Sequence, residues 1–523
     1  MPNRIKKWVF PLISVLVPFI VLLAAEGIAR IALSDSAKPP LFKPLEQKPG
    51  YIAINPDYGS DFFQSFKPAV AFQPFHENKP DRTLRGFVLG GSSTAGFPYS
   101  AYYSFSSAIQ QNLTKALPEQ NVEIINLGMT AINSFTIRDM APELIEQNPD
   151  FIVLYAGHNE YYGAYGVGSS QGVLGSYAVK RLSLLANHSV LVRFLRQLFS
   201  SPKQEVSETS RTMMESVINN AQITLDSKTY TDGIHQFERN IGHLISAFEG
   251  SGIPVFMGTL TSNLKDQSPF GESESSRKNF KDATDAFNRK EYKEAFQLFN
   301  EAKERDPVRF RAPDAINQTI RSFAYDNLIL VDMDSLFRAF SFQGIPGDSL
   351  FDDHLHPNGM GHNLMGNLFS ERIIAKLNHS YNPPFPRLHI NRMEQLIAEG
   401  SIVALKSRPP YSTSGNKTQA LTSFKEKLDQ QGYSGQLAGL VLEQKIFYNK
   451  ATRQALSLAL AEKDTAQVLE LYYASLHWNP FSNQLHSEVA AFCSGALLSH
   501  SSRTEQVLLK LVSLSDKPVY KEL

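Results

Sequence analysis

The sequence predicts an α/β protein on a doubly wound, mostly parallel sheet, with helical insertions and an α-helical C-terminal domain. Three observations predict it. Short unbroken apolar runs such as Phe151-Ile152-Val153-Leu154-Tyr155 alternate with stretches of helical periodicity, the rhythm of β-α-β units whose strands are buried on both faces. The first three runs end in turns rich in glycine and polar residues: Gly90-Gly91-Ser92-Ser93-Thr94, Asn126-Leu127-Gly128 and Gly157-His158-Asn159-Glu160. Beyond about Pro383 the pattern is helical throughout, with no strand signal.

At the N-terminus, Arg4, Lys6 and Lys7 precede an apolar run from Trp8 to Ala25, broken only by Ser14 and two prolines. Its 18 residues are close to the length that spans a bilayer as a helix. The basic flank favours an N-inside orientation, so residues 1–33 are expected to be an uncleaved membrane anchor holding an extracytoplasmic (periplasmic or cell-surface) body. A cleaved signal peptide is the competing reading, with a shorter apolar region and a small-residue cleavage site as its marks. No cysteine follows the run, which excludes a lipoprotein anchor. Residues 34–80, with Lys38-Pro39-Pro40-Leu41-Phe42-Lys43-Pro44, read as a proline-rich linker leading to short strands, because X-Pro steps favour extended backbone.

The body is expected over 81–380. It opens with a strand at Gly86–Leu89 and its serine turn, then a helix over about Ser104–Leu117. A strand at Val122–Leu127, a helix at Ser134–Gln147 and the strand Phe151–Tyr155 follow. Later come a helix near Phe237–Phe248 and strands at Ile253–Gly258 and Asn327–Asp332. Two insertions break the rhythm. Residues 161–231, directly after the third strand, read as a cap or lid with basic amphipathic helices over Lys180–Leu198. Residues 275–306 place Tyr292, Ala295, Phe296, Phe299 and Ala302 at helical spacing and stop at Asp306-Pro307, as one tetratricopeptide-type hairpin would. Residues 381–523 are expected to form a tetratricopeptide-like helical domain suited to packing or to binding a protein partner.

Composition narrows the function. Lysine plus arginine equals aspartate plus glutamate, 51 each, so no global field draws the chain to nucleic acid. The single cysteine, Cys493, rules out a disulfide framework and speaks against a cysteine-based zinc site.

The chemistry gathers at the strand ends and in one late segment, Phe351-Asp352-Asp353-His354-Leu355-His356-Pro357-Asn358. Ligands of open α/β sheets sit beyond the carboxyl ends of the strands, where Ser92 falls. Acyl transfer needs a nucleophile, a base, a group that orients the base, and donors for the developing oxyanion. Ser92 supplies the hydroxyl, and Asp353, three residues before His356, can fold back to fix its tautomer. Backbone N–H groups of Ser92 and Gly128 and the side-chain amide of Asn159 are candidate oxyanion donors. Three other readings stand beside this one. Ser92 also suits a helix N-cap, Ser93 is an adjacent hydroxyl, and Asp352, Asp353, His354 and His356 are potential metal ligands, although no further cluster completes a set.

These segments resemble the blocks of the SGNH hydrolases, the GDSL-type esterases and lipases. Leu89-Gly90-Gly91-Ser92-Ser93-Thr94-Ala95-Gly96 resembles the nucleophile block, and Asn126-Leu127-Gly128-Met129-Thr130-Ala131 the glycine block. Tyr155-Ala156-Gly157-His158-Asn159-Glu160 resembles the asparagine block, and Asp353-His354-Leu355-His356-Pro357 the D-x-x-H-P block. The likeness covers about Gly86–Lys376 outside the insertions, and the hairpin before the last strand is similar to a membrane-anchored subgroup carrying tetratricopeptide-like repeats. It implies a flavodoxin-like fold and a serine ester hydrolase with the triad Ser92, His356 and Asp353. The implied oxyanion hole is Ser92, Gly128 and Asn159, and neither metal nor organic cofactor is expected. Gly91 and Glu160 stand where the family commonly has aspartates. Arg311, His158 and Glu160 are candidate substrate contacts, with bracing of a turn the alternative for Arg311. The expected substrate is a small acyl ester or an acylated glycan. O-acyl transfer to an envelope polysaccharide and a non-catalytic scaffold are the alternative functions.

Overall fold

The computed structural model describes residues 2–33, 36–63, 67–169, 175–199, 222–412, 417–476 and 478–495. Helix α1 (Pro2–Ala32) opens the chain. Among the described residues no helix is long and apolar enough to cross a membrane, so the expected anchor over 1–33 gains no support there. The side chains of residues 1–12 and 15, part of the apolar run, lie outside the described ones.

The expected linker is structured. Strands β1 (Phe42–Pro44), β2 (Tyr51–Ile54) and β3 (Phe75–His76) form an antiparallel sheet in the order β1-β2-β3. Leu41, Ile52, Ile54 and Phe75 join the main hydrophobic core. Lys38 pairs with Asp139, and the Leu41 N–H donates to Glu143. The prolines do give extended backbone here, but the aromatic and aliphatic residues between them bury apolar area against the body, so the segment cannot act as a free spacer.

The body then runs β4 (Thr83–Gly90), α2 (Ser92–Ala95), α3 (Phe105–Ala116), β5 (Asn121–Asn126), α4 (Ser134–Glu146) and β6 (Phe151–Tyr155). Helices α5 (Tyr177–Ala186), α6 (Val190–Phe199) and α7 (Lys228–Gly250) precede β7 (Val255–Gly258). A hairpin of α8 (Glu274–Asn288) and α9 (Tyr292–Arg305) follows, then α10 (Asp314–Ser322), β8 (Leu328–Val331), α11 (Met333–Ala339) and α12 (Gly359–Lys376). The five strands β4 to β8 pair in parallel in the order β5-β4-β6-β7-β8. That is the doubly wound arrangement, with the chain reversing direction between β4 and β6, and a crevice opens at the carboxyl ends of these two strands. Every residue of β4 and β6 is buried, which explains why neither run shows a polar alternation.

Six helices follow the body among the described residues: α13 (Arg392–Lys406), α14 (Lys417–Asp429), α15 (Gly432–Leu442), α16 (Tyr448–Glu462), α17 (Thr465–Leu476) and α18 (Asn483–Gly495). They dock on the body. The Ser100 N–H donates to Glu394, Asn391 donates to the Tyr103 hydroxyl, and Tyr102 packs on Tyr473 at 5.5 Å.

The lid reading of 161–231 holds for little of its described part. Helix α6 packs beside α1, where Glu26 accepts from the Ser189 hydroxyl and from the N–H groups of Val190 and Leu191, while α5 meets α4 and α7, its Tyr177 hydroxyl accepting from Arg138 and donating to Asn240. The unpaired amides of the first turn of α6 attract that carboxylate. Residues 170–174 and 200–221 of the insertion lie outside the described residues.

Candidate active site

Local sequence explains how Ser92 is presented. Strand β4 is buried up to Gly90, and the chain turns at once into the single turn α2, which Gly96 ends at φ 105°. A side chain at Gly90 would meet Thr94 Oγ1 at 2.1 Å and the Tyr155 carbonyl at 2.2 Å. Only glycine lets the turn close so tightly against β6. Ser92, first in this turn, has no partner for its N–H within the helix.

The late segment folds back as its spacing predicts. The Asp352 N–H donates to the His356 carbonyl, and Asn358 caps α12 by accepting from Met360 and Gly361. The turn after β7 clamps the loop from outside: the Asn263 N–H donates to the His354 carbonyl, and its side-chain amide to the Asp353 carbonyl.

These two devices bring Ser92 and His356 together across 264 residues of chain: Oγ lies 2.7 Å from His356 Nε2. The imidazole Nδ1 lies 2.6 Å from Asp353 Oδ2. Asp353 Oδ1 accepts from the N–H groups of Leu355 and His356, each at 2.9 Å. Burial alone would raise the Asp353 pKa. Electrostatic attraction to His356 and His354 and the hydrogen bonds they make outweigh it and hold the carboxyl well below its ordinary range. Ser93 is buried beside Ser92, but it is Ser92 whose hydroxyl meets the imidazole.

The two other strand-end residues differ in fate. Asn159 Nδ2 donates to the Ile132 carbonyl at 3.1 Å and lies 2.6 Å from where a side chain at Gly91 would begin. Asn159 lines the crevice together with Ser92. Gly128 is spent elsewhere. Its N–H donates to Asn126 Oδ1 at 2.7 Å, and a Cβ there would sit 2.2 Å from the Ala95 nitrogen. Gly128 thus packs under α2, and the part of this loop that lines the crevice is Thr130-Ala131, with Ala131 at φ 62°. A non-glycine residue in that region carries no sequence signal, which is why the glycine looked the better donor.

The candidate substrate contacts separate too. His158 lines the crevice. Its Nδ1 accepts from the Ala312 N–H, and burial, with the nearby His354 and His356, lowers its pKa to about 3, keeping it neutral. Arg311 does not line the crevice. It donates to the carbonyls of Asn263 and Gln267 and faces Asp306 at 3.6 Å, so it braces the turn that clamps Asp353. Glu160 also turns inward, accepting from the Ser134 N–H and hydroxyl and from Gln236. Arg311 thus takes the bracing role that stood among its two sequence readings, whereas Glu160, a candidate substrate contact, has buried polar groups of the fold as its partners.

Burial raises the Glu160 pKa from its ordinary 4.5 to about 7. The folded state therefore holds this proton more tightly than the unfolded chain, and stability drains away as pH rises from about 4.5 to about 7. Urea denaturation of the wild type and Glu160→Gln across that window is expected to give curves that diverge, the wild type losing stability relative to the variant. Parallel curves would remove this assignment.

Asp353, His354 and His356 place one ligand-type atom each within 4.8 Å of one another. Asp352 is not part of the group, and its buried carboxyl has a pKa raised to about 6. A cation on these three would have to displace the bond from His356 to Ser92 or to Asp353, because those two residues already engage both of its ring nitrogens.

The crevice has a volume of about 230 Å³. Of insertion 161–231, only Tyr162 and Gly163 among the described residues line it. One lining residue comes from an unexpected source, Leu405 of α13. Close by, the Tyr411 hydroxyl lies 2.6 Å from His354 Nδ1. Neither residue stands near a motif, and each is more than 200 residues from Ser92 to Gly163, so spacing could not have pointed to them.

No family model matches the chain, and no curated protein matches it. Among solved structures, similar chains include an acetylxylan esterase from Geobacillus stearothermophilus, at 13% identity and TM-score 0.28, covering 57% of this chain and 96% of that one. A psychrotrophic esterase from a Pseudoalteromonas species is similar at 12% identity and TM-score 0.27, covering 57% of this chain and 100% of its own. A GDSL-like lipase from Bacteroides thetaiotaomicron is similar at 11% identity and TM-score 0.26, covering 56% and 88%.

Proposed function

We propose that the chain is a serine ester hydrolase of the SGNH type, with Ser92 as nucleophile, His356 as base and Asp353 as the group that orients it. One observation carries the reading: an unbroken hydrogen-bonded relay from Ser92 Oγ through His356 to Asp353, standing at the crevice between β4 and β6. Ser92 Oγ bonds to the ester carbonyl carbon while its proton passes to His356 Nε2. The carbonyl electron pair moves onto oxygen, where the Ser92 N–H, the Asn159 amide and the Thr130-Ala131 stretch stabilise it. Collapse breaks the bond to the alcohol, which leaves with the proton from His356. Water then repeats the sequence on the acyl-enzyme, releasing the acid and restoring Ser92. Every proton in this cycle starts and ends on a named group, and the residues present suffice for it.

We propose separately that α1 holds the chain at a membrane. Phe19, Ile20, Val21, Leu22 and Leu23 are each 58–60% exposed on that helix, a run of apolar side chains that water does not favour. A fluorophosphonate probe applied to fractionated cells tests both parts. The modified peptide is expected to contain Ser92, and the labelled chain to sediment with membranes and be released by detergent but not by salt. Absence of the label removes the esterase, and label in the soluble fraction removes the anchor.

A further inference from the structure

The walls of the crevice say what kind of ester fits. Phe97, Ala131, Tyr162, Phe310, Leu355 and Leu405 supply its apolar surface. Among the described residues that line it, none is an aspartate, glutamate, lysine or arginine. Its polar groups are the reacting set, Ser92, His356 and Asn159, with Thr130, the Gly163 backbone, and the histidines 158 and 354. A sugar ring would leave its hydroxyls against carbon here, and each unmatched hydroxyl costs binding. Size points the same way. A cavity of about 150 Å³ holds benzene, so the 230 Å³ present accepts roughly six to nine carbons in proportion. An acetyl group would leave most of that volume empty, forfeiting contact on the uncovered walls.

The wall facing the body is held firmly. Tyr411 meets His354, and Phe270 packs edge-on against Tyr411 at 4.9 Å and Phe310 at 5.5 Å. The end of α13 is thereby fixed over the crevice, with Leu405 half-buried at its edge.

On the esterase reading above, we infer that the crevice takes a medium-length saturated acyl chain of roughly six to nine carbons, and that Leu405 of the C-terminal helices sets how long that chain can be. The helical region is then part of the specificity machinery. The chemistry is unchanged: the acyl carbon transfers from its alcohol to Ser92 Oγ and then to water, with the tail lying along Phe97, Phe310 and Leu405.

The test is a series of p-nitrophenyl esters from acetate to dodecanoate, with octyl acetate and ethyl octanoate as a matched pair of unactivated esters, on the full-length wild type, Leu405→Trp and Leu405→Ala. In the wild type kcat/KM is expected to rise with each methylene, up to about fourfold per step (about 0.8 kcal/mol), then to level off or fall near eight carbons. In Leu405→Trp the ratio of octanoate to acetate kcat/KM is expected to drop at least tenfold, and in Leu405→Ala the optimum to move to longer chains. A merely structural Leu405 would lower all esters together and leave the ratio unmoved, which overturns its role. A wild type that prefers acetate overturns the medium-chain inference while leaving the esterase standing. Faster cleavage of octyl acetate than of ethyl octanoate also overturns it, by placing the alcohol in the crevice. No hydrolysis of any ester, together with no fluorophosphonate labelling of Ser92, removes the esterase reading itself.

Discussion

Ser92→Ala is expected to lower kcat for a p-nitrophenyl ester by on the order of 10⁴- to 10⁶-fold, the range seen when a triad nucleophile is removed. The fold should survive the change. Ser92 Oγ makes one hydrogen bond, to His356, and losing a single buried bond costs about 1 to 3 kcal/mol. The substitution also adds no atoms to the tight turn that Gly90 makes possible. Turnover measured beside circular dichroism and a thermal melt separates chemistry from folding. A well-folded variant that kept a tenth of the wild-type rate would transfer the nucleophile to another group, with Ser93 the first to examine.

Asp353→Asn follows at roughly 10³- to 10⁴-fold in kcat, and its cause is geometric. Asp353 Oδ1 already receives two backbone N–H groups, from Leu355 and His356. An asparagine must keep its carbonyl oxygen on that side, because its NH₂ there would face two donors. The NH₂ then points at His356 Nδ1 in place of Oδ2. The imidazole is forced to accept at Nδ1 and carry its proton on Nε2, facing Ser92, where it cannot take a proton from the hydroxyl. Substrate binding is left largely intact, so KM is expected to move by less than about threefold while kcat collapses. Steady-state kinetics on one ester resolve the two constants. A drop in kcat of under tenfold would show that Asp353 is not what orients the base.

The two variants probe different distances in the fold. Ser92 and Asn159 stand at the ends of neighbouring parallel strands, so their meeting follows from strand order once β4 and β6 pair. Asp353 and His356 meet within one loop, as the three-residue spacing alone suggests. The joining of these two pairs is a product of the whole body, through the clamp that Asn263 places on the loop and the bracing of that clamp by Arg311.

Some readings of the sequence did not survive packing. Glu160 is a polar residue within a motif block, and a sequence does not reveal whether such a side chain faces a ligand or a neighbouring polar group of the fold. Gly128 looked like a donor because glycine allows close approach. It does allow one, to Ala95 beneath the site rather than to a ligand. Residues 34–80 looked like a linker leading to short strands; the strands are there, yet Leu41 and Phe75 are buried in the main core. The insertion after β6 looked like a lid from its position, while its α6 packs beside α1 and its α5 against α4 and α7.

The sequence by itself determined the alternation of strands and helices, the glycine turns at the strand ends, and the hydroxyl, amide and imidazole offered at them. All of these are local: periodicity, turn chemistry and short spacings are written within a few residues of where they act. Only the tertiary structure decided which loop residue lines the crevice, that His158 is held neutral inside it, and that Leu405 lines it too. Those outcomes depend on helices packing across hundreds of residues, where one leucine in an amphipathic pattern is indistinguishable from the next until burial selects it.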